Sequence, residues 1–163
     1  MEKVTLINTA SSEEMRALYN PEELTERVTA QYTEHKRLRG SPMLQYTQTQ
    51  RQEFSMTFYV DDAEGDEDIQ LIGEFRRFVS SLLYPVQMDN GELRDPPDVL
   101  FVWSKNFLVE LCRVMSVQFR YTRFNKKLIP IVYTADLALK ECGYTFISSQ
   151  AKRSDYLVLG HEI

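Results

Sequence analysis

The sequence predicts a mainly-β domain of the α+β class with one amphipathic helix packed on its sheet. Two observations lead there. First, apolar and polar residues alternate over long stretches. Met115, Val117, Phe119 and Tyr121 alternate with Ser116, Gln118, Arg120 and Thr122. Ile131, Tyr133, Ala135, Leu137 and Leu139 alternate with Val132, Thr134, Asp136, Ala138 and Lys140. A period of two marks strands with one face buried. Second, the period changes once. Leu71, Phe75, Phe78, Val79 and Leu82 recur at three- and four-residue spacing, with Ile69, Ile72 and Leu83 beside them. That is the apolar stripe of a helix over about residues 68–83.

Each element then follows in order. Val4, Leu6 and Ile7 predict a short first strand, with its partner around Met15 to Tyr19 across a polar turn. Asn20-Pro21 reads as a turn initiator, because proline fixes its own φ and holds the preceding residue extended. Residues 26–39 are polar, with Val28, Ala30 and Tyr32 at period two, and read as one strand with an exposed outer face. Gly40-Ser41-Pro42 is a loop. Residues 44–60 form a long extended stretch, closing on Phe54, Met56, Phe58 and Val60 against Ser55, Thr57 and Tyr59. An acidic loop, 61–68, precedes the helix. Asp66, Glu67 and Asp68 suit its cap and the positive end of its dipole. Pro85 stops it. Asn90-Gly91 marks a tight turn. Val99 to Trp103 and Asn106 to Cys112 are two further apolar runs before the alternating block.

Composition narrows the function. The chain has 163 residues, enough for one domain with a substantial core. Its net charge of −5 argues against an electrostatic nucleic-acid binder, which needs a basic face. No apolar run reaches the roughly 18 residues of a membrane span, so direct membrane insertion is not expected. The first residues do not read as a signal peptide. Two cysteines, Cys112 and Cys142, make no disulfide framework, and cytosolic synthesis is the expectation.

Candidate chemistry is sparse. His35 lies in a charged run, Glu34-His35-Lys36-Arg37, and no nucleophile sits at a recognisable spacing from it. Cys112 in an apolar strand reads as a small buried hydrophobe. Trp103 reads as core, and Arg76-Arg77 as the solvent face of the helix. The acidic loop lacks the spacing of a calcium-binding loop. No phosphate-cradling glycine loop, CxxC pair or HExxH is present. No catalytic residue, cofactor or metal site is therefore expected.

Several features, in order, resemble the tube-protein family of contractile injection systems, the phage-tail-like particles. They are Tyr19-Asn20-Pro21-Glu22, the loop Gly40-Ser41-Pro42, the strand from Phe54 to Asp61, Pro96-Pro97 followed by the run from Val99 to Trp103, and the hairpin strands from Val114 to Leu139. The resemblance covers residues 4–141. It implies a tail-tube-like β-sandwich or barrel in residues 1–142, assembled as a homo-hexameric ring around a channel. Its implied partners are tube subunits, a trimeric spike and baseplate proteins. The implied role is an adaptor joining tube to spike, assembled into the particle after cytoplasmic synthesis. Members of that type often carry a LysM module at the C-terminus. Residues 154–161 resemble its opening, so 143–163 are expected to be a tail, the vestige of such a module or a linker.

Polar positions on the two hairpins, 26–60 and 114–140, become the candidates for channel lining and subunit contact: Gln48, Gln50, Ser116, Gln118, Arg120, Thr122, Thr134 and Asp136. The alternative reading is a monomeric β-barrel that binds a small ligand or a protein.

Overall fold

In the computed structural model the alternating block is two long antiparallel strands, and the rest of the sheet is laid out from them. The structure describes residues 2–61 and 69–142, without the side chains of 69–72. Asp61, expected to open the acidic loop, is the last residue of the strand Glu53–Asp61; the rest of that loop with its expected helix cap, the side chain of Leu71 and the tail from residue 143 lie outside the described residues.

Among the described residues the elements are β1 (Thr5–Asn8), β2 (Glu14–Arg16), β3 (Leu24–Arg27), β4 (Ala30–His35), β5 (Met43–Thr49), β6 (Glu53–Asp61), α1 (Ile69–Ser81), β7 (Val86–Gln87), β8 (Leu93–Arg94), β9 (Val99–Ser104), β10 (Leu108–Phe124) and β11 (Pro130–Glu141). Seven strands make one antiparallel sheet in the order β2-β1-β9-β10-β11-β6-β3. The chain is mainly β with a single described helix, as the alternation predicts.

One face of this sheet and the helix enclose the core. Phe54, Met56, Phe58 and Val60 of β6 point inward, with Tyr133, Ala135, Leu137 and Leu139 of β11 beside them. Phe75, Phe78, Val79 and, just past the helix, Leu82 close over them. The Phe75 ring lies 5.7 Å from Phe58 and 6.3 Å from Tyr133, which fixes the helix over β6 and β11. The helix ends at Ser81, two residues short of the expected limit. Residues 82–84 make the tighter bonds of a closing turn, to Val79, Ser80 and Ser81. Arg76 and Arg77 are exposed, as expected, and both make contacts. Arg77 Nη2 donates to Glu13 Oε1 at 2.6 Å, and Arg76 lies over the Tyr121 ring at 5.8 Å.

Several sequence expectations need correction. The apolar runs read separately at 106–112 and 115–121 are one strand of 17 residues, β10. Its register on β11 shifts between Val114 and Ser116. That bulge reverses the phase: Cys112 and Val114 face the core below it, and Val117, Phe119 and Tyr121 above it. Met115, expected in the core, is the extra residue and is 58% exposed. A second shift near Tyr121 puts Val132, expected on the polar face, in a buried position opposite Arg123. The strand expected over 26–39 is two, β3 and β4, and the stretch 44–60 is likewise β5 and β6. The arms stay antiparallel, but two residues, 28–29, face three, 50–52, and the extra residue breaks the ladder.

Candidate functional site

The face of the main sheet turned away from the core is polar and concave. Its register builds it strand by strand. Gln118 pairs with Asp136, which pairs with Thr57; Arg120 pairs with Thr134, which pairs with Tyr59; Ser116 pairs with Ala138, which pairs with Ser55. Alternation puts all of these side chains on the side opposite the buried set. Thr25 of β3 continues the face beside Ser55.

An open trough of about 760 Å³ runs along this face. Its floor includes Ser55, Thr57, Ser116, Gln118, Thr134 and Asp136. Thr57 Oγ1 donates to Asp136 Oδ1, which holds the carboxylate between β6 and β11. One rim is the segment from Tyr19 to Glu23. Three contacts hold it there. Asn20 Oδ1 accepts from the Val4 amide at 3.0 Å, Asn20 Nδ2 donates to the Glu2 carbonyl at 2.9 Å, and the Tyr19 ring meets Tyr59 at 5.9 Å. Glu22, Glu23 and Asp136 give the trough acidic groups, and no lysine or arginine is among its described lining residues. Tyr59 Oη donates to Asp61 Oδ2 at 3.2 Å; desolvation, then that carboxylate, hold the phenol above its ordinary pKa.

The expected site residues divide into two groups. Ser116, Gln118, Thr134 and Asp136 come together in the trough, and Arg120 stands on the same face next to it. Thr122 sits at the second register shift, where its hydroxyl donates to the Val132 carbonyl at 3.3 Å. Gln48 and Gln50 belong to the other hairpin. Gln48 Nε2 donates to Gln31 Oε1 at 2.8 Å, and the Gln50 amide donates to the Thr29 carbonyl at 2.7 Å. The sequence reading omitted Ser55, Thr57 and Tyr59, although their polar phase opposite Phe54, Met56 and Phe58 marks them for the same face. It also omitted the rim from Tyr19 to Glu23, whose place depends on contacts with distant residues and has no local signal.

The β4–β5 hairpin stands apart. It forms a two-stranded sheet of its own, and every residue of both strands is exposed. Tyr32 and Tyr46 pair across it with their rings 5.8 Å apart and edge-on.

Comparison with known proteins supplies the family. The model of a family described as contractile injection system tube protein matches residues 2–144. No curated protein matches the chain. Among solved structures, the chain is similar to one in the virion of a native gene transfer agent particle. The two are 12% identical, with 87% of this chain and 92% of that chain covered and a TM-score of 0.42. It is also similar to a chain in the tail of an empty gene transfer agent particle of C6 symmetry, at 11% identity, the same coverage and a TM-score of 0.39. Likeness at this level assigns nothing further to the chain.

Proposed function

The chain belongs to the contractile injection system tube protein family, and from that premise we propose that six copies close into a ring joining the inner tube to the spike and baseplate. The family is one of structural tube proteins and is not a class of enzymes. The ring takes tube subunits on one side and the trimeric spike with its baseplate proteins on the other. The chain is made in the cytoplasm and assembled into the phage-tail-like particle. Residues 1–142 are the ring-forming domain.

The observation that supports this reading is the polar face. A channel wall has to stay wet and offer cargo few apolar or strongly charged holds. Ser55, Thr57, Ser116, Gln118 and Thr134 meet that need with short hydroxyl and amide groups across three adjacent strands. Arg120 and Asp136 add one charge of each sign, and Gln48, Gln50 and Thr122 extend the same chemistry to the hairpin and the upper end of β10. The opposite face of the same strands is the core, so the wall stands on a rigid support.

Immunogold labelling of intact particles, with an antibody to this chain, tests the adaptor role. The expected result is label at one end of the tube only. Label along the whole length would make the chain a bulk tube subunit, and particles without label would remove it from the structure.

A further inference from the structure

We propose that the tip of the β10–β11 hairpin, residues 123–131, is a docking knob with Leu128 as its anchor, and that it fits an acidic protein surface with an apolar socket. The choice of partner protein rests on the ring reading, because the socket then belongs to the component stacked on that end of the ring.

The hairpin outruns its sheet. β10 has β9 beside it only as far as Cys112, and β11 has β6 beside it only as far as the Val132–Asp61 rung. Residues 123–131 therefore project without a flanking strand among the described residues. The turn at the end is closed by backbone groups and one amide side chain. The Asn125 amide donates to the Ile129 carbonyl at 2.9 Å, and the Leu128 amide to the Asn125 carbonyl at 3.0 Å. Asn125 Oδ1 accepts from the Lys127 and Ile129 amides at 2.8 Å and 3.0 Å. The Leu128 side chain takes no part in this closure and is 80% exposed.

Leu128 nonetheless has a φ of +61°. In that left-handed region a Cβ crowds the backbone, which glycine avoids. Glycine would close the same turn with less strain and less apolar surface in water. The chain instead holds a leucine there, with its Cα–Cβ bond in one set direction. Strain kept at an exposed tip, where folding does not need it, points to recognition. Phe124, across the hairpin from Pro130, adds a second apolar group and is 50% exposed.

Charge identifies the partner's rim. Arg123, Lys126 and Lys127 are all exposed around these two side chains, a local cluster of cations in a chain of net charge −5. Neither lysine makes an ion pair among the described residues. An apolar anchor with a cationic collar matches an apolar socket with a carboxylate rim. The rim charges steer the encounter, and the anchor supplies the buried contact. An anionic membrane would accept the same two chemistries. It is fluid, however, and gains nothing from a leucine held in one strained direction, and it would repel the rest of this acidic chain. A shaped socket does gain, because an anchor already set in direction loses less freedom on binding.

Calorimetric titration of the full chain with the purified tube subunit and the purified spike of its particle, one at a time, tests the knob. Wild type is expected to bind one of the two, and more weakly as salt rises. Leu128→Gly is expected to keep or raise the chain's denaturation midpoint and to weaken that binding at least about tenfold. Lys126→Glu/Lys127→Glu is expected to leave the midpoint unchanged and to weaken binding as much, with the salt dependence reduced. Three results would overturn the knob and leave the ring reading standing: Leu128→Gly binding as tightly as wild type, a midpoint lowered by either variant, or tip-dependent binding to phosphatidylserine vesicles with none to either protein by a chain that still forms rings. A wild-type chain that binds neither protein and no vesicle would overturn the knob and the adaptor role together.

Discussion

Phe75 is the side chain that fastens the helix to the sheet. It is 5% exposed and meets the rings of Phe58 and Tyr133. Phe75→Ala removes those contacts and leaves a cavity between two rigid elements, at a cost of about 3–5 kcal/mol. Chemical denaturation reads the change directly, and a loss under about 1 kcal/mol would mean that the helix is held elsewhere. Cys142 gives a prediction about reactivity. Burial, then the Asp98 carboxylate, pushes its thiol up to about 11. A raised thiol pKa favours the neutral form in the folded chain. The stability it adds is complete below the ordinary value of 9.0 and is lost as pH climbs toward 11. At pH 8 the native thiol is expected to react with iodoacetamide at least about tenfold more slowly than a free cysteine, because the thiolate is the nucleophile. Native mass spectrometry showing the free rate would contradict that burial. At this scale the buried alternation of β6 and β11 was legible in the residues themselves. The position of Met115 was not, because a bulge changes which residues point inward without changing their order.

At the scale of elements, β10 and β11 look alike in sequence and sit differently in the sheet. β11 lies between β10 and β6 along most of its length, whereas β10 is an edge above residue 113. Proline separates the two. Thr134→Pro breaks a strand with partners on both sides, and the chain is expected to lose its cooperative thermal transition. Val117→Pro falls on the edge with its N–H turned away from β11, the position where proline is tolerated in a sheet, so a folded monomer is expected to remain and ring formation to fail. Circular dichroism and sedimentation velocity on the pair check both halves. A folded Thr134→Pro, or intact rings from Val117→Pro, would reverse the assignment. The sequence marked both hairpins but not their breaks. Two residues facing three at 28–29 and 50–52 leave no mark on hydrophobic period, since neither arm is buried there. The β4–β5 strands carry apolar residues on one face without burying them, so period alone gave the strand and not its missing partner. The turn at Asn90-Gly91 was legible because its chemistry is local: Gly91 takes φ of +84° and its amide bonds to the Met88 carbonyl at 2.9 Å.

At the scale of the whole molecule, the described chain has one satisfied face and two unsatisfied features. The core and helix complete one side of the sheet. Among the described residues, the edge of β10 has no strand beside it from residue 113 on, and every residue of the β4–β5 hairpin strands is exposed. A free strand edge is a template for pairing; here an edge of 12 residues, 113–124, has no strand beside it among the described residues, although register shifts interrupt it near Met115 and Thr122. The proposed ring would cover the open edge and turn the polar face inward. Mass measurement joined to negative-stain imaging of the purified chain tests that claim most directly. Six copies of a 19.1 kDa chain come to about 115 kDa, and the account predicts that species as rings with an open centre. A single 19.1 kDa species at all concentrations, with no rings in the images, would contradict it.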